Sequence, residues 1–244
     1  KDLTNHQSTV ILFDPDTGKL KSLVGGNYLT AVRTAASSAV SIAHLARKDS
    51  KVLGMIGAGH QSTFQLRAAV EQRDFEKVVA WNITTDKLEN LAKVCEELAL
   101  PFETVSREEL CAQADVIITI TSAYEALIDK DWIKPGTHIA CMGTDTKGKQ
   151  EVDAKLLAIA TVFTDELAQS ISIGEAQHAI ESGLIQQADI TPIGEVINGT
   201  KAGRTSIDEI TLFDGTGVGL QDLAVASAAV ELAQAKGLAT YINL

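Results

Sequence analysis

With 244 residues, 45% of them apolar and 22% charged, the chain is long enough to bury a real core as one large or two small domains. Its formal net charge of −11 repels phosphate backbones and anionic lipid headgroups, so nucleic acid and membrane surfaces are excluded as partners and any cationic site must be local. No stretch approaches the roughly 18 uninterrupted apolar residues of a spanning helix, and no basic-then-apolar leader opens the chain. The three cysteines, Cys95, Cys111 and Cys141, make neither an even disulfide set nor a CxxC pair, so a cytoplasmic protein with reduced thiols and no metal site is expected.

The first residue is Lys1 rather than Met, and the apolar run Thr9-Val10-Ile11-Leu12-Phe13 follows almost at once, so a segment upstream of this sequence is expected. That run stops at Asp14-Pro15-Asp16-Thr17-Gly18, and a second run, Leu20 to Val24, stops at Gly25-Gly26, which reads as a β-hairpin. From Leu29 to Arg47 apolar residues recur at helical spacing beside a polar stripe of Arg33, Ser37, Ser41, His44 and Lys48, giving a long amphipathic helix. Apolar strands then follow at 52–56 and about 77–81, 115–120 and 137–142, separated by helical stretches at 60–72, 86–98 and 106–113. Strands near 161–164 and 210–213 and helices at 174–182 and Pro192–Gly199 continue the pattern, and an Ala-rich helix from Leu220 to Lys236 closes it, capped by Gly237. The fold expected is α/β. A Rossmann-type parallel sheet domain spans 49–217, and a smaller discontinuous substrate and dimerisation domain is built from both chain ends, 1–48 and 218–244.

Three turns carry the chemistry. The stretch Val52-Leu53-Gly54-Met55-Ile56-Gly57-Ala58-Gly59-His60-Gln61-Ser62 is a buried strand running through a glycine turn into a helix. Gly57 permits the tight turn, Gly59 lets backbone approach a pyrophosphate, and the helix start offers free N–H groups, although Ser62 stands where a third glycine is usual. The same pattern fits a plain strand-turn-helix, but the second strand, ending near Asn82, supplies the context of a dinucleotide site. Asn82 follows Gly59 by 23 residues, where it could bond a ribose hydroxyl, and no arginine follows it directly, so the reading is NAD, with NADP as the alternative.

After the strand at 137–142 comes Gly143-Thr144-Asp145-Thr146-Lys147-Gly148-Lys149, a carboxylate with two lysines near it, which fits a ligand loop and a solvated turn equally. After 210–213 comes Asp214-Gly215-Thr216-Gly217-Val218-Gly219, where backbone could approach a ligand and Thr216 could touch it, a pattern that fits a plain strand-to-helix turn equally. Arg33 is a lone long cation among Thr34, Ala35, Ala36, Ser37 and Ser38; it could grip a carboxylate in bidentate fashion or pair with one of the chain's surplus acids. His44, His6, His138 and His178 show no partner pattern, and neither a Ser-His-Asp order nor metal-ligand spacing occurs.

These turns, together with Leu29-Thr30-Ala31-Val32-Arg33-Thr34-Ala35-Ala36, occur in an order and at a spacing that resembles the ornithine cyclodeaminase and mu-crystallin family, which also holds alanine dehydrogenases and ketimine or iminosuccinate-type reductases. The resemblance covers nearly the whole chain. It implies a homodimer, a nicotinamide cofactor, and a small amino or imino acid as substrate. Arg33 then binds the substrate α-carboxylate, Asp145 is the catalytic proton donor and acceptor, and Thr216 is a substrate contact. Thr34, Gly57, Gly59, His60, Gln61, Asn82, Ser122, Met142, Gly143, Thr144, Lys149 and Gly215 are the cofactor contacts. Two departures stand out: the family's N-terminal arginine and lysine precede the point where this sequence starts, and Gly215 replaces the family's serine. The reaction expected is hydride transfer at Cα between an imino and an L-amino acid. The alternatives are ornithine cyclodeaminase chemistry and a cofactor-binding, non-catalytic crystallin-like role.

Overall fold

The computed structural model describes residues 7–242. Among these, the residues up to Arg33 and from Val218 onward form one compact unit, and Thr34–Gly217 form the other. The division lies inside a helix, whereas the sequence reading drew it at residue 48.

The first unit opens with an antiparallel hairpin of β1 (Thr9–Phe13) and β2 (Leu20–Gly25). Its turn is closed by Asp14, whose Oδ1 accepts from the Thr17 amide at 2.9 Å and the Thr17 hydroxyl at 2.8 Å. The first residues of α1 (Gly26–Leu45) and the last helix, α9 (Gly219–Ala235), complete this unit, and α9 packs on the hairpin. The α9 helix is rich in apolar residues without a single apolar face, and Leu220, Leu223 and Leu232 stand exposed along it, as do Ile11, Phe13 and Leu23 on the hairpin.

The second unit carries the sheet. Its strands are β3 (Val52–Ile56), β4 (Lys77–Trp81), β5 (Phe102–Thr104), β6 (Val116–Thr119), β8 (His138–Cys141), β10 (Thr161–Thr164), β11 (Ile190–Pro192) and β12 (Thr211–Asp214). All eight are parallel, in the order β11-β10-β12-β8-β6-β3-β4-β5. The chain leaves β3 toward β4 and β5, then returns to the other side of β3 with β6. The carboxyl ends of β3 and β6 therefore flank the crevice where ligands bind in open parallel sheets. Strands β6 and β8 are buried from end to end, which explains why all their residues but Thr119 and His138 are apolar.

Crossover helices α2 (His60–Val70), α3 (Glu89–Glu97) and α4 (Arg107–Gln113) cover the two faces, and two cores form, one around Leu53, Met55 and Phe213 and the other around Ile56, Ile117 and Leu212. Helix α4 starts with a capping box, the Ser106 side chain accepting from the Glu109 amide while Glu109 accepts from the Ser106 amide. The Arg73 guanidinium donates to the Ile42 carbonyl in the last turn of α1 and to those of Ala46 and Arg47 just past its end, at 2.8 to 2.9 Å. His138 is wholly buried between the Ser41 and Thr211 hydroxyls, and burial, reinforced by Arg204 and Arg73, pushes it down to about 3, so it is neutral.

Six short strands and α-helices escape the periodicity, β5 and β11 at the two edges of the sheet and four others. β7 (Tyr124–Ile128) pairs with β9 (Gln150–Val152) across a long sequence gap, and α5 (Ala154–Leu157) and α6 (Leu167–Ser170) are single turns. The helix expected over 174–182 contracts to α7 (Gln177–Glu181), because Gly174, Glu175 and Ala176 turn inward; the Ala176 amide donates to Asp214. α8 (Ile193–Ile197) lies within the stretch expected for it. Among the described residues no helix is long and apolar enough to cross a membrane.

Candidate active site at the carboxyl edge of the sheet

The glycine turn stands at the switch point. Gly57 sits at φ +107°, its amide donates to the Trp81 carbonyl at 3.0 Å, and a Cβ there would collide with the Ile120 carbonyl oxygen, so the turn and the end of β6 approach as only glycine allows. Gly59 caps α2 in an extended conformation, with no side-chain cap on the helix and nothing within 4 Å of an added Cβ. The first-turn N–H groups of an eleven-residue helix thus open onto free space, the arrangement an anion binds. The surrounding cleft, about 490 Å³, is lined by His60, Thr63, Lys87, Asn90 and Lys93 among others. His60 is exposed against the Phe64 ring, and Gln61 is half-buried with a buried Oε1 that lacks a hydrogen-bond partner.

Asn82 does something the sequence did not suggest. Its Oδ1 accepts from the Ala58 amide at 3.0 Å and its Nδ2 donates to the Thr84 carbonyl at 2.7 Å, so it braces the glycine turn from the next strand. Ser122, beyond β6, is exposed.

The loop after β8 is gripped from below. Met142, Gly143 and Thr144 are buried, while Asp145 stands with 62% of its side chain exposed, paired at 2.7 Å with the Lys149 ammonium. Lys149 also reaches the Gly143 carbonyl at 3.2 Å. Glu151 on β9 accepts from the Gly143 amide, both donors of Thr121 and the Thr119 hydroxyl at 2.7 to 2.9 Å, which ties the loop after β6 to the loop after β8. Glu175 accepts from the Glu151 and Val152 amides at 2.9 and 2.8 Å and from the Thr144 hydroxyl. The far end is held by Gln177, which accepts from the Gly148 amide at 2.7 Å, and by His178, whose Nε2–H donates to the Lys149 carbonyl at 3.0 Å. Sequence reasoning placed His178 in the background and missed Glu151 and Glu175 entirely.

The last turn follows the same plan. Asp165 accepts from the Thr216 amide and hydroxyl at 3.0 and 2.7 Å and from the Gly217 amide at 2.8 Å, so the Thr216 hydroxyl already has an acceptor. Gly215 is packed so tightly on Met142 that a side chain would strike its Sδ. Thr34 is half-buried in this unit. Arg33 belongs to the other unit, where it pairs with Asp222 at 3.2 Å and reaches Gln221 at 3.4 Å.

Three wholly buried carboxyls lie under these loops: Glu151, Glu175 and Asp214. Burial raises all three, Glu175 to about 8 with Glu151 adding repulsion, and Asp214 to about 7. Asp214 Oδ1 has no hydrogen-bond partner, as suits a protonated carboxyl. Because Glu175 and Asp214 hold their protons more tightly folded than unfolded, their contribution to stability is complete below their ordinary values and is lost as pH rises through the folded ones. The thermal midpoint is therefore expected to fall as pH climbs from about 4.5 to about 8, measured by calorimetry in buffers of equal ionic strength; a midpoint rising over that window would contradict the assignment.

A glycine turn at the switch point of a parallel sheet, facing an open helix start, defines a protein of the Rossmann class, built to take a dinucleotide. More narrowly, a sequence model of the ornithine cyclodeaminase/mu-crystallin family matches residues 1–237, and the chain belongs to that family. It is 58% identical over 243 residues to an iminosuccinate reductase of Paracoccus denitrificans, covering 100% of this chain and 76% of the relative. The crystal structure of the P. denitrificans iminosuccinate reductase in complex with NAD+ superposes with a TM-score of 0.97 at 59% identity, over 99% of this chain and 75% of that one. An archaeal alanine dehydrogenase dimer with bound NAD superposes with a TM-score of 0.96 at 36% identity, over 100% and 76% of the two chains.

Proposed function

We infer that this chain is a nicotinamide-dependent oxidoreductase that reduces a small α-imino acid to the L-amino acid. The observation that carries the reading is the pairing, along one edge of one sheet, of an uncapped glycine turn with an exposed carboxylate on a loop held rigidly from beneath. Its membership of a family whose relatives include an iminosuccinate reductase of 58% identity supports the same chemistry.

The site fits NADH. Gly59 leaves room for a pyrophosphate at the start of α2, and the buried Gly143 and Gly215 keep the neighbouring loops close and free of side chains. NADH, when bound, supplies the hydride that adds to the substrate Cα. Asp145 gives the proton that converts the imine nitrogen to the amine as the C=N double bond becomes single. Lys149 holds the Asp145 carboxyl in place, and Arg33 takes the substrate α-carboxylate, the role the family resemblance implies for it. NADH rather than NADPH suits the end of β4, where Ile83, 86% exposed, stands instead of a cation that would pair with a ribose phosphate.

Two further points belong to this reading. The exposed leucines of α9 and apolar residues of the hairpin suit a homodimer contact, as the archaeal alanine dehydrogenase is a dimer. Three free, buried cysteines suit the reducing cytoplasm.

The test is NADH oxidation in the presence of iminosuccinate, formed from oxaloacetate and ammonia, beside pyruvate with ammonia and cyclic ketimines. Saturable, ammonia-dependent turnover with one of them is expected. Release of ammonia from ornithine without net change in NADH would instead assign cyclodeaminase chemistry, and tight NADH binding with no turnover of any imine would overturn the enzymatic reading.

A further inference from the structure

Burying a carboxyl is costly unless it satisfies donors that nothing else can reach, and the core beneath the Asp145 loop holds two such groups side by side. Their bonds fall on consecutive residues. Glu151 takes the Gly143 amide, Glu175 takes the Thr144 hydroxyl, and Asp145 follows. Glu175 also takes the backbone amides of Glu151 and Val152, so it holds the strand from which Glu151 reaches the loop. Gly143 has no slack of its own, since a Cβ there would strike the Thr121 carbonyl and the Glu151 carboxylate.

We infer that Glu175 is a positioning residue for Asp145: acting through Thr144 and Glu151, it sets where the proton-donating carboxyl stands at the end of β8. The inference rests on the imine-reductase reading for its catalytic consequence, but the clamp itself is a property of the loop. The charged and titratable groups around Glu175 are Glu151 on β9, Asp214 on β12 and Cys141 on β8, with Asp165 acting on Asp214. None of them is a cation. While Glu175 keeps its proton, it does not repel the Glu151 carboxyl and both grips hold. Once Glu175 ionises, two carboxylates share one dry pocket, and the loop is pushed loose.

Two variants and two readouts test this on the full chain. Glu175→Gln keeps the shape, its Oε1 facing the two amides and its amide group facing the Thr144 hydroxyl, but it cannot ionise. Glu175→Ala removes the grip. Activity is read as kcat and KM for the imine from pH 6 to 10, and NADH affinity by tryptophan fluorescence. Hydrogen exchange of the amides of residues 143–149 reports on the loop without any turnover. For Glu175→Ala the expected result is a kcat lowered on the order of 10²-fold, the cost of a displacement near 1 Å, with NADH affinity within about threefold of wild type and faster exchange in the loop. For Glu175→Gln it is near-normal kcat at neutral pH, with the alkaline fall in kcat and the alkaline loosening of the loop both moved upward from those of wild type. Wild-type kcat in Glu175→Ala, or an alkaline limb unchanged in Glu175→Gln, would overturn the inference. So would loop exchange indifferent to both substitutions. If no imine is turned over but the exchange results are as expected, the reductase reading falls and the clamp stands; turnover with flat exchange gives the converse.

Discussion

Asp145→Asn should lower kcat for imine reduction by about 10²- to 10⁴-fold, the range that one positioned proton donor contributes, while leaving NADH affinity nearly unchanged. The substitution is close to isosteric and removes only the transferable proton. It should not disturb the loop, because the loop is held through Gly143, Thr144, Gly148 and the Lys149 carbonyl rather than through the Asp145 side chain. The ion pair lost with Lys149 joins a carboxylate that is 62% exposed to an ammonium that is 16% exposed, and is worth about 1 kcal/mol. A loss of stability beyond that, measured by urea denaturation, would mean that Asp145 is structural. A kcat within about threefold of wild type would remove it from the proton-transfer step and leave Lys149 as the group to examine next.

Gly59→Asp should separate folding from cofactor binding in the opposite sense. A side chain at 59 meets nothing within 4 Å, and aspartate is among the best helix N-caps, whereas α2 has no side-chain cap. The variant is therefore expected to be as stable as wild type or more stable, by roughly a few tenths of a kcal/mol. The new carboxylate stands where a pyrophosphate would rest, and like charges about 4 Å apart repel by about 1 to 4 kcal/mol between bulk water and a partly screened surface, which costs roughly 5- to 10³-fold in NADH affinity. Quenching of Trp81 and Trp132 is the measurement. Trp81 is well placed for it, since its carbonyl receives the Gly57 amide and its ring lies 5.0 Å from the Arg107 guanidinium. Wild-type affinity in a folded Gly59→Asp protein would dissociate the glycine turn from the cofactor.

The parts of this protein that could be read from its sequence share one property: their cause is local. Strands β3, β6 and β8 are buried on both faces, so each must be mostly apolar, and α1 must repeat its apolar residues with a helical period. The glycine turn is legible for the same reason, since a positive φ at Gly57 and a free helix start at Gly59 are demands on single residues. Asp145 was legible as a lone carboxylate in a loop, but its role came from the resemblance of four spaced turns to a family, not from the loop itself.

What only the tertiary structure decided is how those loops are held. Glu151 and Glu175 lie 24 residues apart, on a three-residue strand and in the bend before a five-residue helix, and nothing in the composition of either segment distinguishes them from surface glutamates. Asp165 meets Thr216 across 51 residues, and Asn82 turns both ends of its amide to backbone, so neither partner could be inferred from spacing. The inward turn at Gly174–Ala176, which shortened α7, likewise follows from Asp214 on a distant strand. The sequence by itself determined the α/β alternation and the dinucleotide turn, because backbone geometry and side-chain periodicity act between near neighbours. The buried acids that position the Asp145 carboxylate were decided by the sheet, which alone brings residues remote in the chain close enough for a carboxyl to be worth burying.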